Sequence, residues 1–573
     1  MVQIHYEKNQ FIITCNFIEN HVVQNLDGRA FRKKPFAHWK VPVTRKNVEA
    51  LKIIKGFFTQ EAESFLKEYK SRAIEVIDGT FPEGYKFKVP NMPYQTQGLI
   101  KCWSRYFNAL FMDPGTGKTK MVIDLGTCRH QLGMIDQIVV IGLVSIKTNW
   151  EEEIEKFCPI ATNVHLLHTT PKGKKDFEKF KSEKGFKWLI LGVESLSTGG
   201  AFDMVQSFID KNTMIVMDES SKIKNHKAKR TDVAIQLSLN PNVKFSMILT
   251  GTPITQGVED LYSQFEFLSP DIIGHGSYYS FRNSYCIMGG YENKNIVGYK
   301  NIENLLAEVE PYVYQVRKRD VLKDLPPITF TIRRVAMSKE QTEIYKELKN
   351  NLKVQIDTDT LSVNNPLTLL LRFSEITGGH ISFLKENPNI LQRDKKPMVY
   401  LRKPLTKSPK LEELLNILED FPKDEQVIIW VSPKNMDELH LIHKTMSKIY
   451  GVENIGLLYG AMNEDERQQV RQDFQAGHLR FIIGNPAVGG IGLNLTAARY
   501  MINYSRDFSL ETSIQSISRM ERIGQFKAMT VYDIVCENTV DEKILESYHM
   551  KYDLAETVRS AFNENKKRIF DYI

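Results

Sequence analysis

Short apolar runs that each end in a polar loop recur along the first half of the chain. They lie in the stretches 138–153, 188–196, 213–225 and 245–256, and helix-length segments separate them. A continuous apolar run of this kind is typical of a strand that is buried on both faces of a parallel sheet. The pattern therefore predicts a doubly wound α/β sheet.

The second half of the chain repeats the pattern. Strand-like runs occur at 425–431, 481–486 and 500–505, again with helical stretches between them. A chain of 573 residues is also too long for one hydrophobic core. We therefore expect a second α/β lobe, and three or four domains in all.

Composition and charge exclude several classes of protein. No apolar run reaches the roughly 18 residues of a membrane span, and the start, MVQIHYEKNQ, lacks a signal-peptide pattern. The six cysteines include no CxxC pair, which argues against a zinc site or disulfide framework and for a reducing compartment. The net charge of +7 permits a polyanionic partner without requiring one.

The stretch FMDPGTGKTK, at 111–120, has the features of a phosphate-binding loop. Glycines let backbone N–H groups close around an anion, and the following helix adds the positive end of its dipole. The expected phosphate contacts are Gly115, Thr116, Gly117 and Lys118, and the expected Mg²⁺ ligand is Thr119. A plain glycine turn is the alternative, because Met112 stands where the strict pattern has glycine.

Two carboxylates follow the strand-like run in TMIVMDESSKIKN, at 213–225. Parallel sheets hold their ligands at the carboxyl ends of the strands. Asp218 is therefore a candidate Mg²⁺ ligand, and Glu219 is a candidate for orienting and deprotonating an attacking water. A surface turn, where acidic residues are common, is the alternative for this pair taken alone.

These two motifs and seven others occur in the order of the Swi/Snf branch of the superfamily-two helicase-like ATPases, which the chain resembles. The matching stretches are PYQTQGL (93–99), DPGTGKT (113–119), NWEEEIEKF (149–157), DESSKIKN (218–225), LTGTPI (249–254), VRKRDVLKDLPP (316–327), GGIGLNLTAA (489–498), QSISRMERIGQ (515–525) and VYDIVCENTVDEKI (531–544). The family's phosphate loop does not require the first glycine, so Met112 is compatible with the resemblance.

The resemblance implies two RecA-like lobes that hydrolyse ATP with Mg²⁺ in the cleft between them. Gln95 would read the adenine, and Gly492 and Gln515 would belong to the nucleotide site. The implied DNA contacts are Asn149, Trp150, Thr250 and Asn494.

Several residues depart from the family's usual ones. They are Leu143, Ser220, Ser221, Thr255, Gln256 and Glu521. Positions 221, 256 and 521 would lie between the ATP site and the DNA track, so these departures concern how tightly hydrolysis is coupled to DNA.

Three polar residues near the end of the second α/β lobe are spaced i, i+4, i+7, which would place them on one helical face. They are Gln515, Arg519 and Arg522. An arginine in a lobe without its own phosphate loop can meet the γ-phosphate as a finger when lobes close. We expect Arg522 to be the finger and Arg519 its neighbour; an ordinary solvated face is the alternative.

The region between the lobes contains two stretches with helical spacing, NIENLLAEVEPYVYQV (301–316) and SKEQTEIYKELKNNLKVQI (338–356). They resemble the helical insertions of the family. RDKKPMVYLRKPLTK, at 393–407, is expected to be a solvated linker, with a DNA-facing loop as the alternative.

The N-terminal stretch VQIHYEKNQFIITCNF alternates in polarity and predicts a hairpin. Residues 28–51 then interleave basic and aromatic side chains, a combination that neutralises phosphates and stacks on bases. The candidate DNA contacts are Arg29, Lys33, Lys34 and Trp39. The alternative is a small domain whose aromatic residues form its core. The Gly-Arg…Trp-x-x-Pro spacing resembles the HepA-related (HARP) module of annealing helicases, which implies recognition of forked or junction DNA.

The expected fold is α/β, with two RecA-like doubly wound parallel-sheet lobes, helical insertions and a small α+β N-terminal domain. The expected boundaries are 1–87 for the accessory domain, 88–270 for the first lobe, 271–405 for the insertions and linker, 406–548 for the second lobe and 549–573 for a C-terminal helical tail.

The expected function is an ATP-driven translocase on double-stranded DNA that remodels forks or recombination and repair intermediates. We expect ATP and Mg²⁺ as cofactors, double-stranded or branched DNA as partner, no membrane association and a monomeric motor. The expected location is the cytoplasm of a bacterium or phage-infected host, or the nucleus if the source is eukaryotic. A strand-separating DNA or RNA helicase and a non-enzymatic DNA-binding scaffold are the alternatives.

Overall fold

The computed structural model describes residues 2–7, 10–15, 23–24, 26–32, 37–54, 56–68, 71–144, 147–357, 366–386, 398–433, 435–489 and 495–563. The chain forms two compact units, Met1–Val321 with Leu554–Ile573, and Leu322–Asp553. Each unit contains a parallel sheet with its own hydrophobic core, which confirms the predicted α/β fold.

A small α+β module opens the first unit. Its elements are β1 (Gln3–Glu7), β2 (Gln10–Thr14), β3 (Ala30–Arg32), β4 (His38–Pro42), α1 (Arg45–Ile53), β5 (Phe57–Phe58) and α2 (Gln60–Glu68). The strand order is β3-β4-β2-β1-β5, and the antiparallel pairing of β1 with β2 confirms the predicted hairpin. Alternate strand residues, such as Ile4, Phe11 and Val41, form a core with the two helices. Trp39 packs half-buried against this core, and its ring centroid lies 5.0 Å from that of Phe31.

Polar contacts hold this module against the rest of the first unit. Asp27 Oδ2 accepts a hydrogen bond from the Gly276 N–H at 3.1 Å, and Lys46 Nζ lies 3.3 Å from Glu308 Oε1. A Cβ on Gly28 would lie 2.2 Å from the Gly276 carbonyl oxygen. A side chain at position 28 would therefore force the two segments apart.

The first unit's main sheet has seven strands. In chain order these strands are β6 (Phe107–Met112), β7 (Gln137–Gly142), β8 (Thr162–Leu166), β9 (Phe186–Gly192), β10 (Thr213–Asp218), β11 (Val243–Thr250) and β14 (Val313–Val316). Between β11 and β14 the chain forms a separate hairpin of β12 (Cys286–Gly289) and β13 (Asn295–Tyr299). The spatial order is β14-β6-β11-β10-β7-β9-β8, with every pair parallel. The four apolar runs of the first half are thus β7, β9, β10 and β11, as predicted.

Helices connect these strands. They are α3 (Pro93–Trp103), α4 (Lys118–Gln131), α5 (Lys147–Phe157), α6 (Pro171–Ser182), α7 (Ser195–Thr198), α8 (Ala201–Phe208), α9 (Lys229–Ser238), α10 (Asp260–Leu268), α11 (Tyr278–Tyr285), α12 (Ile302–Val309) and α13 (Lys318–Val321). Before α3, residues 71–92 form no regular element, and Phe81 packs edge-on against Trp103 with 5.5 Å between ring centroids. The predicted domain boundary at 87 therefore lies inside a segment that packs on the first lobe.

The region predicted as helical insertions also supplies strands. The stretch 301–316 forms α12 and then β14, the edge strand of the first sheet, so the predicted helix is wrong for residues 313–316. β15 (Ile328–Val335) follows, and α14 (Lys339–Asp357) confirms the second predicted helix. The next elements are α15 (Pro366–Thr377), β16 (His380–Glu386) and β17 (Met398–Pro404).

A hairpin replaces much of the predicted linker at 393–407. β16 and β17 pair antiparallel from His380–Pro404 to Glu386–Met398, so residues 398–404 form a strand. The remaining residues of that stretch before the strand, 393–397, lie outside the described part of the chain. Apolar spacing could not show this because strand pairing is a contact between distant segments.

The second unit has a six-stranded parallel sheet. The elements after β17 are α16 (Pro409–Glu419), β18 (Val427–Trp430), α17 (Met436–Tyr450), β19 (Ile455–Leu458), α18 (Glu464–Gln475), β20 (Phe481–Gly484), α19 (Pro486–Gly489), β21 (Tyr500–Asn503), α20 (Leu510–Met520), β22 (Met529–Cys536) and α21 (Val540–Asn563). The strand order is β15-β22-β21-β18-β20-β19, which confirms the second α/β lobe. Among the helices of the described ranges, none has the length and apolar character to cross a membrane.

Candidate nucleotide site

Three loops meet at the carboxyl edge of the first sheet. They follow β6, β11 and β10, which are consecutive neighbours in that sheet. A Cβ on Gly251, after β11, would lie 2.8 Å from Pro114 Cδ, after β6, so these two loops are in direct contact. This edge is where parallel sheets bind their ligands.

The loop after β6 has the geometry of an anion cradle. Gly115 and Gly117 have φ values of 84° and 85°, in the left-handed region that favours glycine. Gly117 caps the N-terminus of α4, where backbone N–H groups lack helical partners and the dipole is positive. Lys118 Nζ spans the loop and donates to the Met112 carbonyl at 2.9 Å. Met112 is the last residue of β6, where its backbone is extended and its side chain is buried, so this position does not need glycine.

α3 contacts the same loop from behind. Gln95 Nε2 and the Tyr94 hydroxyl each donate to the Thr116 carbonyl at 3.1 Å, and the Met92 N–H donates to Gln95 Oε1 at 3.0 Å. A Cβ on Gly117 would lie 2.2 Å from Gln95 Nε2, which is a second reason for glycine there. Gln95 therefore reaches the loop, with both ends of its amide bound to backbone groups.

Asp218 ends β10, and Glu219 follows it in a strained conformation. Glu219 has φ 51° and ψ 58°, a left-handed conformation that is uncommon for residues other than glycine and that clusters at functional sites. The Glu219 N–H donates to Asp218 Oδ1 at 2.9 Å. Burial raises the pKa of Asp218, while the hydrogen bond from Trp150 and the charge of Lys118 oppose that rise. Lys118 and Asp218 are thus close enough to interact electrostatically.

Two side chains of α5 contact the predicted metal ligands. Trp150 Nε1 donates to Asp218 Oδ2 at 2.8 Å, and the Thr119 hydroxyl lies close enough to the Glu153 carboxylate to oppose the rise that burial causes in the pKa of Glu153. Trp150 is 1% exposed, which contradicts the expectation that its side chain contacts DNA. Asn149, the other predicted DNA contact here, is half-buried and donates to Glu153 Oε1 at 3.4 Å. Sequence reasoning missed Glu153, although its spacing of three from Trp150 places both on one helix face.

Asp260 of α10 organises the loop after β11. Its Oδ2 accepts the N–H groups of Thr255 at 2.8 Å and Gln256 at 2.9 Å, and Lys224 Nζ lies 3.4 Å away. Lys224 Nζ also donates to the Thr255 hydroxyl. Thr255 and Gln256, which depart from the family's usual residues, are therefore tied through Asp260 to Lys224 of the DESSKIKN stretch.

Gln264 makes a second connection between the same two loops. The Ser220 hydroxyl donates to Gln264 Oε1 at 2.6 Å, and Gln264 Nε2 donates to the Pro253 carbonyl at 2.8 Å. Thr250 is fully buried, and its hydroxyl accepts the Thr252 N–H at 3.0 Å. That position contradicts the expectation that the Thr250 side chain contacts DNA.

Models of two known domain families match the chain in succession. An SNF2-related domain matches residues 94–377, and a helicase conserved C-terminal domain matches residues 409–524. The chain belongs to the Swi/Snf family of superfamily-two helicase-like ATPases.

Curated relatives of this Swi/Snf chain come from bacteria, plants and animals. An uncharacterised ATP-dependent helicase of Mycoplasma genitalium is 25% identical over 471 residues, which cover 80% of this chain and 41% of the relative. The ISWI chromatin-remodeling complex ATPase CHR11 of Arabidopsis thaliana is 25% identical, covering 80% and 42%. The DNA repair and recombination protein RAD54B of Homo sapiens is 24% identical, covering 81% and 54%. The chain thus spans about two fifths to about half of the length of these relatives.

Among solved structures, the SWI2/SNF2 ATPase core of Sulfolobus solfataricus in complex with double-stranded DNA is 23% identical to this Swi/Snf chain. The comparison covers 84% of this chain and 97% of that one, with a TM-score of 0.37.

The arginines of Swi/Snf motif VI lie at the end of α20. This helix ends at Met520, so Arg522 lies beyond it, and the predicted shared helical face holds only for Gln515 and Arg519. Arg519 is 6% exposed, whereas Arg522 is half-buried and its Nε donates to the Ser518 carbonyl at 3.2 Å. Gln515 is buried, and its Nε2 lies 3.4 Å from Glu511 Oε1. Because α20 ends before Arg522, helical spacing does not determine where the Arg522 side chain points.

Four predicted ligand residues lie outside the described residues. They are Lys33, Lys34, and Gly492 and Asn494 of Swi/Snf motif V. Arg29 is exposed in the N-terminal module, and its Nη1 donates to the Leu26 carbonyl at 2.9 Å. The module precedes both matched ranges, so its likeness to the HARP module stays a prediction.

Proposed function

We propose that this chain is an ATP-driven translocase on double-stranded DNA that remodels forks or recombination and repair intermediates. The observation that carries the proposal is the convergence of Lys118, Asp218 and Glu219 at one edge of the first sheet, with the charge of Lys118 acting on Asp218. A scaffold that only binds DNA has no need for a strained glutamate beside a phosphate loop.

The chain's own groups suit ATP hydrolysis. The N–H groups of the glycine loop and of the first turn of α4 bind phosphate oxygens. When ATP binds, the Lys118 ammonium donates to an outer phosphate oxygen instead of the Met112 carbonyl. Glu219 orients and deprotonates the attacking water, and its N–H bond to Asp218 holds its backbone in place.

The residues around Asp218 also fit Mg²⁺. The Asp218 carboxylate and the Thr119 hydroxyl are oxygen donors, and Mg²⁺ is usually held by one or two carboxylates together with substrate phosphates. Mg²⁺, when bound, supplies charge neutralisation to the transferring phosphate.

The N-terminal module is proposed to recognise branched DNA. Contacts to a duplex backbone do not distinguish a fork from a plain duplex, so another surface must read the branch. Exposed Arg29 and Arg32 of the module supply positive charge for phosphates. Trp39, in the neighbouring strand β4, is half-buried against the core, and its ring contacts the exposed ring of Phe31.

One set of assays tests the proposal. ATPase rates of the wild type are measured with plain duplex, forked duplex, single-stranded DNA and RNA, together with strand displacement. We expect duplex and forked DNA to stimulate hydrolysis without strand displacement. Strand displacement would favour the helicase alternative, and absence of any hydrolysis would favour the scaffold.

Two variants connect these rates to the site. Lys118→Ala should abolish hydrolysis by weakening phosphate binding. Glu219→Gln should abolish hydrolysis while ATP stays bound, because only the base for the water is lost. Near-normal turnover of Glu219→Gln would refute the role given to the carboxylate pair.

A further inference from the structure

α5 contacts both protein groups that are assigned to Mg²⁺. The Trp150 indole N–H donates to Asp218 Oδ2 at 2.8 Å, and the Glu153 carboxylate lies close to the Thr119 hydroxyl. Trp150 and Glu153 are three residues apart in the helix, so they lie about one turn apart on the same face. One helix face therefore holds the carboxylate after β10 and the hydroxyl at the start of α4.

The Trp150 contact has a fixed direction. Its indole has a single polar atom, and the ring is 1% exposed, so packing sets its orientation. The second oxygen of the same carboxylate, Asp218 Oδ1, accepts the Glu219 N–H at 2.9 Å. Both oxygens of Asp218 thus have defined positions that depend on protein donors and not on a ligand.

The Glu153 contact is held from a second side. Asn149 Nδ2 donates to Glu153 Oε1 at 3.4 Å, and Asn149 lies in the first turn of the same helix. The carboxylate of Glu153 is therefore anchored within α5, beside the Thr119 hydroxyl. A hydroxyl that donates to this carboxylate keeps its oxygen lone pairs free for a metal ion.

We propose that Trp150 and Glu153 are positioning residues for the Mg²⁺ ligands Asp218 and Thr119. They aim the carboxylate and the hydroxyl at one point, and they act through these ligands without touching nucleotide or metal. The proposal rests on the ATPase function proposed above, and it gives this face of α5 a task at the metal site instead of at DNA. Partners that orient metal ligands in this way affect metal affinity about 10–100-fold.

The molecule contains a matched control for Trp150. Trp188, in β9 of the same sheet, is also fully buried, and within the described residues its Nε1 has no hydrogen-bond partner. Trp150→Phe and Trp188→Phe remove the same atoms from two fully buried positions. Only Trp150→Phe also removes a hydrogen bond to Asp218.

The test uses the full chain and measures binding of a fluorescent ATP analogue at increasing Mg²⁺ concentration and in excess EDTA. For Trp150→Phe we expect the Mg²⁺ concentration at half-saturation to rise about 10–100-fold. Affinity in EDTA should stay equal to that of Trp188→Phe. Glu153→Ala should also raise the Mg²⁺ concentration at half-saturation. Glu153→Gln should raise it less, because the glutamine carbonyl can still accept the Thr119 hydroxyl.

Several results would overturn the proposal. One is an equal Mg²⁺ requirement in Trp150→Phe and Trp188→Phe; another is a loss of affinity in Trp150→Phe that is as large in EDTA as in Mg²⁺, which would indicate packing alone. If Trp150→Phe does not fold, the comparison of Glu153→Ala with Glu153→Gln decides, and equal Mg²⁺ requirements in these two variants refute the proposal. A wild type that binds Mg²⁺ and nucleotide but is not stimulated by DNA refutes the proposed translocase and leaves this inference standing.

Discussion

Asp260 Oδ2 accepts the backbone N–H of Thr255 at 2.8 Å, and the same oxygen accepts the Thr255 hydroxyl at 2.9 Å. One buried carboxylate oxygen thus fixes the backbone and the side chain of a residue that departs from the family's usual one. Because Lys224 contacts the same oxygen, Asp260 links the loop after β11 to the loop after β10. This link is part of the fold of the candidate site and not of its chemistry.

Asp260→Asn should destabilise the first unit and lower hydrolysis. Asparagine removes the negative charge and turns one acceptor into a donor, so a buried donor loses its partner at a cost of about 1–3 kcal/mol in the free energy of unfolding. Urea denaturation measures this change. Asp203→Asn is the control, because Asp203 also lies in the first turn of a helix but is exposed. Equal midpoints for the two variants would contradict the linking role of Asp260.

Arg522→Ala should lower kcat by about 10³-fold or more and leave ATP affinity nearly unchanged, the effect expected of an arginine finger. Single-turnover hydrolysis and nucleotide titration separate the two quantities. Lys448→Ala, which removes an exposed cation from α17, is the control. Arg519→Ala should instead lower stability, because Arg519 is 6% exposed. If Arg522→Ala loses only DNA affinity, Arg522 contacts DNA and not the γ-phosphate.

Arg29→Ala and Arg32→Ala should weaken binding to forked DNA and reduce the fork preference of the ATPase. Each removed phosphate contact lowers the slope of log affinity against log salt by about one. Fluorescence anisotropy with forked and plain duplexes over a salt series measures the slopes. Lys67→Ala, an exposed lysine of α2 whose Nζ lies 3.8 Å from Glu63 Oε2, is the control. Unchanged slopes in both arginine variants would show that the module does not recognise branched DNA.

Glu438→Gln should flatten the pH dependence of the second unit's stability. Burial raises the pKa of Glu438 from about 4.5 to about 8, although the charge of Lys410 and hydrogen bonds from Ser505 and Asn435 oppose the rise. The folded state therefore retains a proton that the unfolded state releases, so stability is highest below about 4.5 and falls as pH rises to about 8.

Melting temperatures at about pH 6 and about pH 9 test this expectation. The wild type should lose more stability between the two values than Glu438→Gln does. Glu453→Gln, at an exposed site, is the control and should behave as the wild type does. Parallel pH profiles for the wild type and Glu438→Gln would show that Glu438 is ionised in the folded protein.

Local chemistry made much of the candidate site predictable. The glycine loop and the carboxylate pair each follow an apolar run, and a parallel sheet places the ends of such runs at one edge. Lys118, Asp218 and Glu219 could therefore be assigned to one site before their contacts were known. Glu153, Asp260 and Gln264 escaped prediction because each has a partner that is distant in sequence: Thr119, Lys224 and Ser220.

The sequence by itself determined two α/β lobes, the order of the motifs and the positions of the phosphate loop and the carboxylate pair, because these follow from local periodicity, glycine content and strand ends. Tertiary structure alone decided that 313–316 and 328–335 become edge strands of different sheets, since pairing depends on distant segments. It also decided that Trp150 points inward to Asp218. Helical periodicity separates apolar from polar faces, and tryptophan, which has an apolar ring and a polar N–H, is compatible with either face. The spacing of Arg522 from Arg519 likewise could not place the Arg522 side chain, because α20 ends at Met520.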